Sequence, residues 1–209
     1  MSRRAVIVDT GVGNLGNLVR ALRAAGAAAE ISRDPTQVAA SRCLVLPGVG
    51  AFAPPREALR GELEAALRHS LQAGAWLLGV CVGYQLLFEV GEEFGETDGL
   101  ALLPGRVTAL PTTVPRPHIG WNRLRRLAAS PLLAGLEDGA SVYFVHSFAP
   151  QGVPSESCLA ECLHGRSFAA MAGRGRIAGT QFHPEKSGAV GLRLLTNFVE
   201  MAHGTAAVD

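Results

Sequence analysis

Gly79-Val-Cys81-Val-Gly83-Tyr-Gln85-Leu-Leu-Phe88, entered from the apolar run Trp76-Leu-Leu78, is the stretch that decides the fold. An apolar strand runs straight into a cysteine with a glycine two residues away on either side, and then into a segment of helical character. A side chain on a tight strand-to-helix turn points out from the strand ends. Only small neighbours leave room for the backbone reversal. The following helix is expected to aim its free N–H groups and positive end at Cys81, favouring thiolate over thiol and offering donors to an oxyanion. The alternative is a buried structural cysteine, since free cysteine is among the most buried residue types.

Outward from this turn the first half alternates strand and helix. Ala5-Val-Ile-Val8 reads as a buried strand broken by Asp9 to Gly13, and Leu15, Leu18, Val19 and Leu22 recur at helical spacing until Gly26. Cys43-Leu-Val-Leu46 is a second strand, stopped by Pro47 and Gly48, and Leu59, Leu63, Leu67 and Leu71 mark one helix face closed by Gly74. Strands spaced by such helices predict an α/β three-layer sandwich: a mostly parallel central sheet flanked by helices. From Arg106 to Phe148 short strand pieces separated by Pro111, Pro115 and Pro117 suggest antiparallel strands beside the main sheet. Phe168 to Met171 and Ile177 to Thr180 read as strands around a turn at Gly173 and Gly175, and Leu192, Leu195, Phe198 and Val199 as a last helix.

Bulk properties remove several function classes. The 209 residues, 48% hydrophobic, suit one domain over 1–209 with a frayed alanine-rich end at 205–209. A net charge of +1 gives no attraction to nucleic acid. No run approaches the roughly 20 apolar residues of a membrane span, and Asp9 interrupts the opening run too early for a secretory signal. A cytoplasmic protein is expected. Cys43, Cys81, Cys158 and Cys162 are then reduced thiols, and with only His164 near the Cys158/Cys162 pair no metal or other cofactor is expected.

A partner for Cys81 lies near the other end. Gly179-Thr-Gln-Phe-His183-Pro-Glu185-Lys-Ser187 again follows a strand. Pro184 biases His183 toward extended backbone, in which residues two apart share a side. A carboxylate beside the imidazole fixes its tautomer and leaves the other nitrogen free to take a thiol proton. The bland reading is a surface turn. Of the other histidines, His69, His164 and His203 read as surface residues, while His118 and His146 lie in distinctive segments.

These two motifs resemble the nucleophile and His/Glu motifs of the class I, triad-type glutamine amidotransferases, a flavodoxin-like fold. Four further segments resemble the glutaminase subunits of imidazole glycerol phosphate synthases: Asp9 to Asn17, Pro47-Gly-Val-Gly-Ala-Phe52, Pro117-His-Ile-Gly-Trp-Asn122 and Tyr143-Phe-Val-His-Ser-Phe148. The resemblance covers roughly the whole chain. It implies that Cys81 attacks the side-chain amide carbon of L-glutamine, with His183 as base and then acid and Glu185 orienting it. It places the oxyanion on backbone N–H groups of Val82 and of Gly48, Val49 and Gly50, and glutamine on Gly50, Gln85, His146, Ser147 and Phe148. It also implies a heterodimer with a (β/α)₈ cyclase, reached through Asn14, Trp121 and Lys186, that takes the ammonia through a channel. Val82 and Tyr84 depart from the Leu and Met common in the family, and Tyr84 is bulky enough to alter packing under the turn. Rival readings are the glutaminase partner of anthranilate synthase or of a vitamin B6 synthase, a cysteine hydrolase acting on peptides or thiols, and an inactive regulatory homologue.

Overall fold

Alternation along the first strand sets the layers. In β1 (Arg4–Val8) Ala5 and Ile7 enter one apolar core while Val6 and Val8 enter another, and all four are buried. A strand buried on both faces needs cover on both, and the computed structural model, which describes residues 3–126 and 128–204, supplies it. β1 leads through α1 (Leu15–Ala24) to β2 (Ala28–Ser32), and through α2 (Pro35–Ala39) to β3 (Cys43–Gly48). Then α3 (Ala53–Leu59) and α4 (Glu62–Gln72) lead to β4 (Trp76–Cys81) and the single turn α5 (Val82–Gln85). Short strands follow: β5 (Val90–Gly91), β6 (Thr97–Asp98), β7 (Arg106–Ala109), β8 (His118–Arg123), β9 (Arg125–Arg126), β10 (Ser141–His146) and β11 (Phe148–Gln151). The hairpin strands β12 (Cys158–His164) and β13 (Arg166–Arg174), then β14 (Ile177–Thr180) and α6 (Gly188–Ala202), complete the chain.

The main sheet runs β2-β1-β3-β4-β14-β13-β12-β9, parallel from β2 to β14 and antiparallel beyond. Leu18 and Leu22 of α1 and Leu194, Leu195 and Phe198 of α6 pack on one face. Val38 of α2, Leu59 of α3 and Leu63 and Leu67 of α4 pack on the other. Each such leucine contributes about 1.5–3 kcal/mol through burial. Two small sheets, β10-β8 and β11-β7-β5-β6, stand beside this sandwich.

Several elements differ from the reading of the sequence. The leucine face from Leu59 to Leu71 belongs to two helices, because Gly61 takes φ 80° and turns the chain between α3 and α4. Gly173 lies inside β13, and the hairpin turn falls at Gly175 instead, φ 60°. Leu192 is exposed on α6, where Leu194, Phe198 and Met201 carry the buried stripe. The frayed end expected at 205–209 lies outside the described residues.

Arg56, buried at the end of α3, ties this layer to the small sheet. It bonds Glu64 of α4 at 2.7 Å and the Asp98 carboxylate of β6 at 3.0 Å. Burial works against the charge on Glu64, but its bonds to Arg68 and Arg56 outweigh this and hold its pKa below the usual value. The stability this contributes is present above the unfolded carboxylate pKa and is lost as pH falls through the lower folded value. Arg56→Met is expected to cost about 1–3 kcal/mol at neutral pH, with a smaller loss at acid pH. Urea unfolding at both pH values measures this, and an unchanged midpoint at neutral pH contradicts it.

Candidate active site

β4 ends in a strained residue. Cys81 sits at φ 55° and ψ −111°, a conformation that costs a non-glycine residue about 1–3 kcal/mol. The surrounding glycines make it possible. A Cβ on Gly83 would fall on the Leu46 carbonyl, one on Gly79 would lie 2.7 Å from the Gly83 oxygen, and one on Gly48 would lie 2.8 Å from the Gly83 nitrogen. Tyr84 is fully buried beneath the turn. Its ring occupies the space that a side chain at Gly179 would need, and its hydroxyl donates to the Ala169 carbonyl at 3.2 Å. The bulk of Tyr84 is therefore absorbed. α5, in contrast, is a single turn, so the expected helix dipole reduces to the few free N–H groups of that turn, beginning at Val82.

β14 lies beside β4, with Thr180 paired to Val80, and this register delivers His183 to the same sheet edge. His183 is extended, φ −94° and ψ 101°, and its N–H donates to the Tyr143 carbonyl at 3.0 Å. Glu185 reaches the ring by a 3₁₀ turn over Pro184–Lys186, and not by the strand alternation expected from the sequence. Its Oε1 is 2.8 Å from His183 Nδ1, and both side chains are almost wholly buried. Ser187 holds this turn: its hydroxyl donates to the His183 carbonyl at 2.6 Å and accepts from the Tyr143 N–H at 3.0 Å. Burial disfavours a charged His183 ring, but the neighbouring Cys81 and Glu185 outweigh it and push the ring up to about 10. Nε2 is buried on the side of the ring away from Glu185, and Cys81 is the neighbour that raises the ring most. Such a nitrogen is placed to receive the thiol proton.

A cavity of about 230 Å³ opens over these groups, lined by Val49, Gly50, Cys81, Val82, Gln85, Val145, His146, Ser147, Phe148 and His183. Every candidate glutamine contact thus borders one space with the candidate nucleophile. Gly50 takes φ 80° with open space around it, and Gly48 pairs with Cys81 across β3 and β4. Gln85 is largely committed elsewhere: its Nε2 donates to the Phe148 carbonyl at 2.9 Å and to Gln181 Oε1 at 3.0 Å. Pro117 and Glu93 also line the cavity. Glu93 was not singled out in the sequence, since one carboxylate in a polar loop carries no signal, and its Oε2 accepts from the Phe52 N–H at 2.9 Å.

Of the expected interface residues, Trp121 is 58% exposed and packs edge-on against Tyr143, over whose ring Lys186 Nζ sits at 5.6 Å. At that exposure Trp121 is not a core aromatic. Asn14 is exposed and caps α1 through its side chain, which accepts from the Asn17 N–H. His164, read as a surface residue, stacks half-buried on His118 at 4.0 Å. Cys43, Cys158 and Cys162 are buried free thiols; burial pushes them up to about 12, 11 and 12, the last step for Cys158 helped by Glu161. Among the described residues no group of His, Cys, Asp and Glu side chains is arranged to hold a metal.

Fold and geometry together describe an α/β sandwich carrying a cysteine on a strained turn, a buried His–Glu pair beside it, and a small cavity above. Comparison with known proteins gives the same class. The family model of class-I glutamine amidotransferases matches residues 6–202. The chain is 47% identical over 199 residues to the imidazole glycerol phosphate synthase subunit HisH of Symbiobacterium thermophilum, covering 95% of this chain and 94% of that one. It is 42% identical over 202 residues to the HisH subunit of Methanosarcina barkeri, covering 95% and 99%. The structure of PurLQS from Thermotoga maritima shares the fold, with a TM-score of 0.74 at 17% identity over 96% of this chain and 99% of that one. The chain belongs to the class I glutamine amidotransferases, and within them to the HisH subunits of imidazole glycerol phosphate synthase.

Glu185→Gln removes a charge that holds the ring pKa up, so the ring should titrate at lower pH, read by NMR of the imidazole. The stability contributed by His183 is complete below its unfolded pKa and lost as pH rises through the folded value, so the variant should lose part of it near neutrality. Turnover should fall by more than about 3-fold with glutamine affinity little changed. An unmoved ring titration contradicts the pairing.

Proposed function

We propose that Cys81 is the nucleophile of a glutaminase, with His183 as general base and Glu185 as its orienting partner. The observation that carries this is Cys81 in strained backbone at the floor of the cavity that His183 also lines. The enzyme is a glutamine amidotransferase subunit that releases ammonia by a cysteine-dependent route and serves histidine biosynthesis. The Cys81 sulfur attacks the side-chain amide carbon of glutamine while His183 Nε2 takes the thiol proton. His183 then returns the proton to the leaving nitrogen, and ammonia departs from a γ-glutamyl thioester. A water, deprotonated by the same nitrogen, hydrolyses the thioester to glutamate and restores the thiol. The oxyanion of each tetrahedral intermediate accepts from backbone N–H groups of Val82 and of the Gly48, Val49 and Gly50 segment. Glu93 is a carboxylate suited to the α-ammonium of glutamine, and Gly50, Gln85, His146, Ser147 and Phe148 complete the walls.

The ammonia acceptor is a (β/α)₈ cyclase subunit bound as a heterodimer in the cytoplasm. Exposed apolar residues support a protein cover over the cavity mouth: Val49 lines the cavity, Ile119 lies two residues past cavity-lining Pro117, and Trp121 follows on β8. Ile119 and Trp121 alternate on one face of that strand and are 60% and 58% exposed. Lys186 and Asn14 belong to the same contact. In the resting subunit a peptide plane near Gly50 directs its carbonyl into the site, and a ligand-loaded partner turns it to present an N–H. Among the described residues no helix is long and apolar enough to cross a membrane.

Cys81→Ala should abolish glutamine-dependent product formation by the assembled synthase while ammonium salt still supports it. Residual glutamine turnover near wild type would remove Cys81 from the mechanism. Trp121→Ala should weaken subunit association by at least about tenfold, roughly 1.4 kcal/mol, with circular dichroism unchanged. Undiminished association in a titration against the cyclase excludes Trp121 as an anchor.

A further inference from the structure

Cys81 sulfur has two polar neighbours that its role as nucleophile does not by itself explain. The Val145 carbonyl lies 3.9 Å away and can only accept, whereas Gln181 Nε2 lies 3.8 Å away and can only donate. Gln181 is wholly buried at the end of β14, and its own N–H is bound to the Ala170 carbonyl at 2.8 Å. Its amide has a determined direction. Oε1 accepts from Gln85 Nε2 at 3.0 Å, and since that nitrogen is a donor only, the Gln181 NH₂ group is left facing the sulfur.

Gln85 is fixed in turn. Its second hydrogen goes to the Phe148 carbonyl at 2.9 Å, which also receives His146 Nδ1 at 2.9 Å. A carbonyl only accepts, so His146 carries its proton on Nδ1, and its Nε2 accepts from His118 Nδ1 at 3.0 Å. His118 Nε2 then accepts from Asn122 Nδ2 at 3.2 Å, whose other hydrogen reaches the Leu163 carbonyl at 3.1 Å. Burial lowers both rings, His118 to about 4 and His146 to about 3, in keeping with neutral imidazoles that each donate once and accept once. Two directed runs of hydrogen bonds thus share the Phe148 carbonyl: one reaches it from Asn122 on β8 through the two histidines, and Gln85, which also donates to it, leads through Gln181 to the Cys81 sulfur.

We infer that Gln181 is a further catalytic residue, whose amide N–H stabilises the Cys81 thiolate when the thiol gives up its proton and again when the thioester collapses. It rests on the reading of Cys81 as nucleophile. As a thiol, Cys81 donates to the Val145 carbonyl. Once His183 has taken the proton, that carbonyl repels the sulfur and Gln181 becomes the favourable neighbour, its bond tightening as charge develops. No bond of Gln181 is made or broken. Gln85, anchored on the Phe148 carbonyl, keeps the amide from rotating away.

The test is alkylation of the assembled enzyme by iodoacetamide across pH, with the modified cysteine located by peptide mass spectrometry. Two variants are compared with wild type: Gln181→Met, which removes the donor, and Gln181→Asn, which keeps an amide but falls one methylene short of the sulfur. Thermal melts establish folding, and a shortfall in one variant leaves the other to decide. Alkylation of Cys81 near neutral pH should slow by about tenfold in either variant, the equivalent of one unit in thiol ionisation, while the rate at alkaline plateau matches wild type. A purely structural loss would instead lower the plateau. Unchanged neutral-pH alkylation in a folded variant overturns the assignment of Gln181 alone. Wild-type alkylation at another cysteine, or alkylation of Cys81 that leaves glutaminase activity intact, overturns the nucleophile reading beneath it.

Discussion

The structure depends on one backbone conformation: the positive φ of Cys81 at the junction of β4 and α5. It turns the chain sharply enough to lift the thiol above the strand ends. Space for the turn comes from removing side chains on every side, at Gly48 in the neighbouring strand, at Gly79 and Gly83 in the turn's own chain, and at Gly179 above Tyr84. Three adjacent strands of the sheet share in holding one residue. The sheet's stability, distributed over two apolar cores, is what sustains a local strain of about 1–3 kcal/mol.

The same sheet order decides what the thiol meets. β14 inserts beside β4, so a segment about a hundred residues further along the chain arrives at the same edge. His183 and Glu185 are buried together there, where solvent screens their interaction little and the carboxylate supports a charge on the ring. Ser187 and Tyr143 clamp the backbone of this turn to β10. Tyr143 also packs against Trp121 and Lys186, so the exposed Trp121 surface and the base of the site share one residue.

Legibility in the sequence followed how local each cause was. The buried strands around Val6, Val45 and Leu78 were plain because continuous apolar runs report two-sided burial. Cys81 was plain because its glycines lie within two residues of it. β2 and β12 were not anticipated, since Ala28–Ser32 and Cys158–His164 mix polar and apolar residues and owe their strand pairing to distant neighbours. The Leu59 to Leu71 pattern concealed a break because Gly61 interrupts the backbone without disturbing leucine spacing. Glu93, Ser187 and the bonding of Gln85 were hidden for the same reason: each acts through a contact made only when remote segments meet. His164 looked like a surface residue until folding stacked it on His118.

Labelling with an electrophilic analogue of glutamine, a chloromethyl ketone at the position of the side-chain amide, is the most direct test of Cys81 as the nucleophile. The assembled enzyme is treated with one equivalent, with and without excess glutamine, and every cysteine is mapped by mass spectrometry. One adduct is expected, on Cys81, suppressed by glutamine, with the buried thiols of Cys43, Cys158 and Cys162 unmodified. An adduct on one of those three, or labelling of Cys81 that glutamine does not slow, would contradict it.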